Sequence, residues 1–347
     1  MTYKVTIQPT GHEFEVNDNE TVLDAAMRHS IELPYGCRGG ACGSCAGFLL
    51  KGEIKYERQP VGLKDDMISE KKALFCKAIP VSDLEISIEE LEGSQGIEVK
   101  TLRCRVEQKN QLNHDVMQVK LKLAGDDRLQ FLAGQYLEFI LQGGKRRAFS
   151  IANAPHDDEL IELHIRHVEG GKFTDFLFNE MEDRAMLKIE GPLGSFYLRE
   201  ESLRPIIMMG GGTGFGPLKG MIEHANYVKL KRPIHLFVGV RSLRDLYMDE
   251  MVKQWLRVNP LIQYTPVLSE PLVEDNWQGE TGFVHDAVAR SYADLSDQEI
   301  YMSGPPVMIT AAVELFSQQS ADRNHIYSDA FEFSADAQKA LAQLKSS

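Results

Sequence analysis

Four of the five cysteines have a spacing that could do chemistry. Cys37, Cys42 and Cys45 follow a C-x4-C-x2-C pattern, and Cys76 supplies a fourth thiol further along the chain. This is a spacing at which four thiolates hold a 2Fe–2S cluster. The alternatives are a zinc site or four buried structural cysteines, but zinc ligands usually come in two short paired knuckles. The sequence therefore predicts a 2Fe–2S metal site with these four ligands.

Glycines precede and separate the first three cysteines: Gly36, Gly39, Gly40 and Gly43. Because glycine has no Cβ, it can adopt positive φ and bring backbone N–H groups close to the cluster sulfurs. Hydrogen bonds of that kind stabilise an anionic cluster and help to set its reduction potential. The loop chemistry thus agrees with the cysteine spacing.

The composition limits the number of domains, the kinds of partner and the cellular compartment. A chain of 347 residues is long enough for two or three domains, and a net charge of −13 argues against nucleic acid as a partner. No apolar run reaches the length of a membrane span. The fifth cysteine, Cys104, is unpaired, which argues against a disulfide framework and for a reducing compartment. We therefore expect a cytoplasmic monomer with no membrane partner.

The first module, residues 1–93, is expected to be a small α+β fold. Val5 and Ile7 alternate with polar residues, as do Phe14 and Val16, which indicates a hairpin. Thr21 is placed to begin a helix, and the stretch from Gly47 to Ile54 suggests a second hairpin. Two hairpins and a crossing helix favour a β-grasp sheet with the cluster loop at one edge.

This module is also acidic. Residues 1–95 hold 16 Asp and Glu against 10 Lys and Arg. Such an excess is usually a solvated face, and the sharper hypothesis is a docking surface for a redox partner. The polar, glycine-rich residues 90–97 are expected to be a linker.

Residues 99–200 are predicted to form an antiparallel β-barrel, because short strands recur at regular spacing with polar turns between them. One helix, from Thr174 to about Met181, interrupts them. The predicted strands are Leu102–Val106, Val116–Leu123, Tyr136–Leu141, Ala148–Ile151, Leu160–His167 and Met186–Ile189.

Residues 203–335 are predicted to form an α/β domain with a parallel sheet, because strands alternate with helices. The predicted strands are Pro205–Met209, Ile234–Val240, Ile262–Leu268 and Glu299–Met302. Three domains are therefore expected: the cluster module, a barrel and a nucleotide-type fold.

Two stretches of the barrel could hold an anionic cofactor. In Arg147-Ala-Phe-Ser150, the arginine can pair with a phosphate, the aromatic ring can cover another ring, and the hydroxyl can bond a ring nitrogen. In Gly170-Gly-Lys-Phe-Thr174, exposed amides come just before a helix, where an anion binds well.

The third domain contains a second anion cradle. Gly210-Gly-Gly-Thr-Gly-Phe-Gly-Pro217 joins a strand to a helix, although its glycine spacing is not G-x-G-x-x-G. After the next strand, Arg241 or Arg244 could accept a 2′-phosphate, whereas Asp245 would favour a free ribose hydroxyl. These two signals conflict. A rigid turn beginning at Ser303 ends a later strand, at the edge where ligands bind in open α/β sheets.

Taken together, the chain resembles the ferredoxin–NADP reductase superfamily, in the branch with a plant-type 2Fe–2S ferredoxin domain at the N-terminus. That branch includes reductase components of bacterial oxygenases and CDP-6-deoxy-delta-3,4-glucoseen reductase. The stretches Arg146–Leu160, Leu163–Val168 and Ser328-Asp-Ala-Phe331 are most similar to the glucoseen-reductase-like group. The resemblance covers about residues 1–335, with the motifs in the family's order.

The resemblance implies a role for each matching residue. Arg147 would hold the FAD pyrophosphate, Phe149 would pack on the flavin, and Ser150 would lie near its N5. Nicotinamide would displace Phe331, which shields the isoalloxazine until then. The remaining cofactor residues would be His164 and Arg166 at the flavin edge, Gly171 and Thr174 at its phosphates, and Gly211, Gly212, Thr213 and Gly214 along the NAD(P)H path.

Two positions depart from the family pattern. Phe149 stands where the family usually has tyrosine, so one hydroxyl bond to the flavin is absent. Ser303 stands where the family usually has a cysteine near the nicotinamide, and serine keeps its size and polarity. Members of this group mostly use NADH, so NADH is expected as the donor, with NADPH not excluded.

These expectations combine into an electron relay. NADH would deliver a hydride to the flavin, and electrons would pass singly through the cluster to a protein acceptor, either a sugar-dehydratase partner or an oxygenase component. The first alternative is an NAD(P)H:flavin or ferric reductase, which would leave the cluster module without a task. The second is a non-catalytic redox sensor, against which the NADH motifs argue.

Overall fold

The computed structural model describes residues 2–91, 97–125 and 127–330. These residues form two compact units. We call residues 2–91 with 194–196 and 328–330 the N-terminal unit, and the rest of the described chain the C-terminal unit. The C-terminal unit contains two different sheets, which correspond to the predicted barrel and the predicted α/β domain.

The N-terminal unit has a five-stranded sheet of order β2-β1-β7-β3-β5 and a separate pair, β4-β6. Strands β1 and β7 are parallel, and the other pairs are antiparallel, as expected for a β-grasp sheet. Its elements are β1 (Thr2–Gln8), β2 (Glu13–Asn17), α1 (Val22–Arg28), β3 (Ala46–Lys51), β4 (Ile54–Lys55), α2 (Asp65–Ser69), β5 (Lys72–Leu74), β6 (Ile79–Pro80) and β7 (Leu84–Ser87).

The polar–apolar alternation builds the first hairpin. Val5, Ile7 and Val16 are fully buried, and Val5 pairs directly with Phe14 across the hairpin. Thr21 caps α1 as predicted, because its hydroxyl accepts a hydrogen bond from the Asp24 N–H at 3.1 Å. The apolar face of α1 then packs on the sheet.

The second predicted hairpin is wrong. Strand β3 pairs with β5 and β7, whereas β4 pairs with β6. Between them, Gly52 has φ +91°, and a Cβ there would lie 2.2 Å from the Asp83 carbonyl oxygen. The chain therefore turns tightly against residue 83 at this point and enters β4, which pairs with β6 instead of β3.

The first sheet of the C-terminal unit is antiparallel, with order β11-β10-β13-β8-β9-β12. An isolated bridge between Ile151 and Leu163 brings the two edges together, so the sheet curves as a barrel does. Its elements are β8 (Lys100–Gln111), β9 (Val116–Leu123), β10 (Tyr136–Ile140), β11 (Arg146–Ser150), β12 (Ile161–Arg166), α3 (Lys172–Asn179) and β13 (Met186–Leu193).

The second sheet has order β17-β16-β15-β14-β18-β19, and the strands from β14 to β18 pair in parallel. Of the edge strand β19, only Ile326 and Tyr327 belong to the C-terminal unit. The predicted bounds of β15 and β16 are confirmed, because both strands are short apolar runs in a buried sheet. The elements are β14 (Ile206–Gly211), α4 (Phe215–Tyr227), β15 (Ile234–Val240), α5 (Asp249–Val258), β16 (Ile262–Leu268), β17 (Glu280–Thr281), α6 (Val284–Ser291), β18 (Glu299–Gly304), α7 (Pro306–Gln318) and β19 (Ile326–Ala330).

This topology places the glycine-rich stretch between the carboxyl end of β14 and the first turn of α4. Strand β18 lies beside β14, with Gly210 opposite Ser303. The glycine-rich stretch and the turn that begins at Ser303 therefore meet at the carboxyl end of the sheet. Among the described residues, no helix has both the length and the hydrophobicity needed to cross a membrane.

Candidate functional site

The four predicted cluster ligands come from two places in the N-terminal unit. The loop between α1 and β3 carries Cys37, Cys42 and Cys45, and Cys76 follows β5. Because β3 pairs with β5, Cys45 and Cys76 come to the same end of the sheet, and the Cys76 N–H lies 3.5 Å from the Cys45 Sγ. Cys45 and Cys76 are buried, whereas Cys37 and Cys42 are half-buried.

Backbone N–H groups converge on Cys37. Those of Gly39, Ala41 and Cys42 donate to its Sγ at 3.3–3.4 Å, and the Cys37 N–H donates to the Cys42 Sγ at 3.4 Å. The hydrogen bond from the Cys42 thiol and these N–H donors lower the pKa of Cys37 to about 5. The loop thus stabilises a thiolate, the form in which cysteine binds metal.

A second segment supports this loop. The Gly62 N–H donates to the Gly40 carbonyl at 2.9 Å, and a Cβ on Gly62 would lie 2.4 Å from the Ala41 carbonyl oxygen. Sequence reasoning missed this contact, and the only local signal is a glycine after Pro60-Val61. Four thiols in a backbone cradle of N–H donors fit a 2Fe–2S cluster.

The predicted flavin residues Arg147, Phe149 and Ser150 lie on β11, an edge strand of the barrel sheet. Arg147 donates through Nη1 to the Arg146 carbonyl at 2.9 Å. The ring of Phe149 is partly buried and lies 5.7 Å, centroid to centroid, from the rings of Phe139 and Phe173. Its packing is therefore directed at least partly toward the barrel core.

His164 and Arg166 lie on β12 and have different surroundings. His164 is buried, with Nε2 2.8 Å from Glu162 Oε1 and Nδ1 3.1 Å from the Tyr247 hydroxyl. Burial lowers the pKa of His164. Arg166 instead lies over the glycine-rich stretch, since a Cβ on Gly212 would be 2.8 Å from its Nη1.

Gly171 and Thr174 shape the turn into α3. Gly171 is the N-cap of that helix, which begins two residues earlier than predicted. Thr174 Oγ1 accepts from the Val168 N–H at 3.2 Å and lies 3.0 Å from the Val168 carbonyl oxygen. Its hydroxyl therefore fixes the turn that exposes the first N–H groups of α3.

The glycine-rich stretch is packed tightly against β18 and α7. A Cβ on Gly214 would lie 1.9 Å from the Ser303 carbonyl oxygen, and one on Gly211 would lie 2.7 Å from the Met308 Sδ. Thr213 lies between them in a short 3-10 turn, Gly212–Gly214. Ser303 is fully buried, and its hydroxyl has no hydrogen-bond partner within the described ranges.

Asp245, which was expected to reach a ribose, is instead buried against Ser242. It is 1% exposed, and its Oδ2 accepts from the N–H and the hydroxyl of Ser242 at 2.9 and 3.0 Å. Its Oδ1 lies 3.5 Å from His114 Nε2 and 3.6 Å from Arg241 Nη2. Burial would raise the pKa of Asp245, but the Ser242 hydrogen bonds and the nearby cations lower it. The predicted shielding residue, Phe331, lies outside the described residues.

One group of residues at this site was missed altogether. Glu162 and Lys219 are both buried, and the Lys219 ammonium lies 3.3 Å from Glu162 Oε1. Burial alone would raise the pKa of Glu162, but the hydrogen bond from His164 and the charge of Lys219 lower it to about 2. The sequence pattern did not predict that Glu162 and Lys219 are buried, because alternating strands and amphipathic helices commonly carry Glu and Lys on their solvent faces.

Comparisons with known proteins agree with this arrangement. Three family models match in succession: a 2Fe-2S iron-sulfur cluster binding domain at residues 5–81, an oxidoreductase FAD-binding domain at 103–197 and an oxidoreductase NAD-binding domain at 208–314. A solved structure of Amycolatopsis cytochrome P450 reductase GcoB is similar over 95% of this chain and 99% of that one, with a TM-score of 0.79 and 30% identity.

Two relatives match this chain over nearly their whole length. CDP-6-deoxy-L-threo-D-glycero-4-hexulose-3-dehydrase reductase of Yersinia pestis is 36% identical over 331 residues, covering 95% of this chain and 99% of that protein. The phenol hydroxylase P5 protein of Acinetobacter pittii is 35% identical over 341 residues, covering 97% and 96%. The chain therefore belongs to the family of oxidoreductases in which a 2Fe–2S domain precedes an FAD-binding and an NAD-binding domain, the family of the dehydrase reductases and oxygenase reductase components.

Proposed function

We propose that this protein is an NADH-dependent reductase that supplies electrons to a partner protein, with a sugar dehydrase as the first candidate acceptor. The observation that carries the proposal is that one chain combines a four-thiol loop with a glycine-rich nucleotide loop and a flavin-type barrel strand. When bound, FAD converts a two-electron hydride donor into single electrons, which a 2Fe–2S cluster carries one at a time.

In the N-terminal unit, Cys37, Cys42, Cys45 and Cys76 hold the cluster. The N–H groups around Cys37 stabilise the negative charge on sulfur and thereby tune the reduction potential. The tight packing of Gly62 on Ala41 keeps those donors in place. No general acid or base is required of these residues, because the reaction at the cluster moves only electrons.

In the barrel, Arg147 would pair with the FAD pyrophosphate, Phe149 would support the flavin ring and Ser150 would lie near its N5. Thr174 and Gly171 present the N–H groups of the α3 N-terminus to the phosphates. Both ring nitrogens of His164 already have partners, so His164 acts at the flavin edge by its position.

For the nucleotide, the N–H groups of Gly211, Gly212, Thr213 and Gly214 receive the NADH phosphates, and Arg166 adds positive charge beside Gly212. The unpaired, buried hydroxyl of Ser303 gives the nicotinamide a polar contact at the same edge. NADH is preferred over NADPH because Asp245 lies 3.6 Å from Arg241 and offsets the charge that a 2′-phosphate would need.

The acceptor is argued from the relatives. The Yersinia pestis relative is a dehydrase reductase, and the Acinetobacter pittii relative is a phenol hydroxylase protein, at nearly equal identity. An oxygenase component is therefore the second candidate. The acidic excess of the N-terminal module favours an acceptor with a basic docking face. The proposed setting is a reducing compartment such as the cytoplasm, with the protein acting as a monomer.

The test is an anaerobic titration of the purified protein with NADH, followed by visible absorbance. We expect both the flavin band and the broad cluster band to bleach, faster with NADH than with NADPH. Addition of an oxidised dehydrase or oxygenase component should then restore the cluster band of the matching pair. Bleaching of the flavin band alone would overturn the proposal and leave a flavin or ferric reductase.

A further inference from the structure

A lysine is buried in the C-terminal unit where the two sheets of that unit are bridged. Lys219, on α4, is 4% exposed, and its ammonium has three kinds of oxygen partner. It donates to the Ala152 carbonyl at 3.0 Å, and it lies 2.9 Å from Glu223 Oε1 and 3.3 Å from Glu162 Oε1. All three of its donor hydrogens can therefore be used.

The partners of Lys219 come from both sides of this boundary. Glu223 is one turn further along α4, whereas Glu162 is on barrel strand β12 and Ala152 follows strand β11. Glu162 also accepts from His164, and His164 contacts the Tyr247 hydroxyl on the nucleotide side. A second cation, Lys120, lies 3.8 Å from Glu162 Oε2. The result is one connected buried network across the boundary.

The backbone of α4 also approaches the barrel closely. Gly216, Lys219, Gly220 and Glu223 share one helix face, since they are three or four residues apart. A Cβ on Gly220 would lie 2.8 Å from the Asn153 carbonyl oxygen, whereas one on Gly216 would make ordinary contacts of 3.5 Å with Ala152 and His164. The contact is thus steric as well as electrostatic.

The contact between Ala152 and α4 joins the segment proposed to bind the flavin to the segment proposed to bind NADH. Ala152 lies two residues after Ser150, at the end of the proposed flavin motif, and α4 begins directly after Gly214, the last residue of the glycine-rich turn. A single side chain therefore connects the elements that hold the hydride donor and the hydride acceptor. Hydride transfer depends steeply on that separation.

We propose that Lys219 is a positioning residue for hydride transfer, which fixes the glycine-rich turn on the barrel at the distance the reaction needs. The inference rests on the proposed function. In the step concerned, the hydride leaves NADH with its two electrons, so that NADH becomes NAD⁺ and the oxidised flavin becomes reduced. Lys219 touches neither partner and acts through α4 and Ala152.

The test compares four variants of the full-length holoprotein. Lys219→Met removes the charge, Lys219→Arg keeps it, and Glu162→Gln/Lys219→Met leaves the buried site with one carboxylate fewer in case the single variant does not fold. Lys253→Met is the matched control, because Lys253 is a half-exposed lysine on α5 that pairs only with Asp249 and Glu250 among the described residues.

Two readouts are needed. Anaerobic stopped-flow mixing with NADH gives the limiting rate of flavin bleaching and the apparent Kd separately. Hydrogen–deuterium exchange of the peptides covering residues 152–154 and 215–227 reports the contact without any turnover. FAD content is measured first, so that rates refer to loaded protein.

We expect Lys219→Met and the double variant to lower the limiting rate by roughly 10- to 100-fold, as for a reactant misplaced by about 1 Å. The apparent Kd for NADH should change much less. Exchange should accelerate in both peptides, Lys219→Arg should recover most of the rate, and Lys253→Met should match the wild type.

A limiting rate that stays at the wild-type value while exchange accelerates would overturn the proposal and leave Lys219 with a structural role. Unchanged exchange in both peptides would overturn it as well. If the wild-type protein itself is not bleached by NADH, the proposed function fails, and the exchange experiment still decides whether Lys219 fixes α4 on the barrel.

Discussion

The cluster loop and the nucleotide loop are both rich in glycine, yet their glycines are required for different reasons. Gly40 and Gly43 of the cluster loop have φ of +87° and +78°, and a Cβ on Gly43 would meet no atom within 4 Å. Gly214 of the nucleotide loop has an ordinary helical φ of −59°, but a Cβ there would lie 1.9 Å from the Ser303 carbonyl oxygen. Gly43 is therefore required for its backbone conformation, and Gly214 is required for space.

The supports of the two loops differ in the same way. The cluster loop is held by backbone N–H groups of its own residues and of Gly62. The nucleotide loop begins a helix that is held by buried charges more than fifty residues away in sequence, from Glu162 to Lys219. Three of the four cluster ligands are therefore positioned by backbone groups close to them, although Cys76 comes from another segment, whereas the nucleotide loop depends on side-chain contacts between elements that are distant in sequence.

The largest effect is expected from removing a ligand. Cys45→Ser replaces a buried thiolate ligand with a poor one, so the cluster absorbance should be lost. Because the barrel and nucleotide sheets form their own compact unit, flavin bleaching by NADH should continue within about twofold of the wild-type rate.

Visible spectra and anaerobic stopped-flow measurements check both parts. Loss of flavin reduction together with the cluster, at normal FAD content, would show that the two sites are not separable in the way the comparison requires.

The second largest effect is expected at Gly214, where the comparison predicts that space is needed. Gly214→Ala forces a Cβ against the backbone of Ser303, which cannot rotate away, so the 3-10 turn must shift. We expect NADH-dependent flavin reduction to fall on the order of 100-fold, whereas dithionite still reduces the flavin and the cluster.

The matched variant is Gly211→Ala, where the nearest atom is the flexible Met308 Sδ at 2.7 Å. It should lose less activity than Gly214→Ala. Equal losses in the two variants would contradict the argument from backbone contact.

The buried charges predict an acid-sensitive C-terminal unit. His164 has a lowered pKa, so it resists protonation when folded, and stability is lost as the pH falls below about 6.5. The pKa of Glu162, lowered from 4.5 to about 2, adds a loss between those two values that totals up to about 3 kcal/mol. Glu223 works in the opposite direction, because burial raises its pKa.

Urea unfolding followed by tryptophan fluorescence from pH 7 to 2 measures this, since Trp255 and Trp277 both lie in the C-terminal unit. The free energy of unfolding should fall with pH in the wild type and fall less steeply below pH 4.5 in Glu162→Gln. Parallel curves would mean that Glu162 is not held by the network.

The comparison also explains what could be predicted from the sequence. Ligand spacing predicted the 2Fe–2S cluster, since Cys37, Cys42 and Cys45 act within one loop, and the resemblance of the whole chain predicted the family. Strands β9, β15 and β16 have the predicted bounds, because apolar patterns record burial. Residue roles at the flavin and nucleotide sites stay predictions.

What was missed depends on long-range contacts. The second hairpin was wrongly predicted because a glycine is needed at position 52 to leave space for the Asp83 carbonyl oxygen, thirty-one positions further on, and not to form a local turn between paired strands. Lys219 looks like an ordinary helix surface residue until α4 meets Ala152 and Glu162. Burial of a charge is decided by tertiary packing, which no local pattern records.

The smallest effect is expected at Gly43. With open space around its Cβ position, Gly43→Ala should cost only the strain of a left-handed backbone, about 1–2 kcal/mol. The protein should still assemble its cluster, but the half-life of the cluster absorbance in a fixed urea concentration should fall by roughly fivefold or more. Gly40→Ala should be worse, because its Cβ would also lie 3.0 Å from Pro60 and Lys77 side-chain atoms. If Gly43→Ala is as damaging as Gly214→Ala, then the N–H donors of the cluster loop tolerate no displacement, and conformation matters there as much as space does in the nucleotide loop.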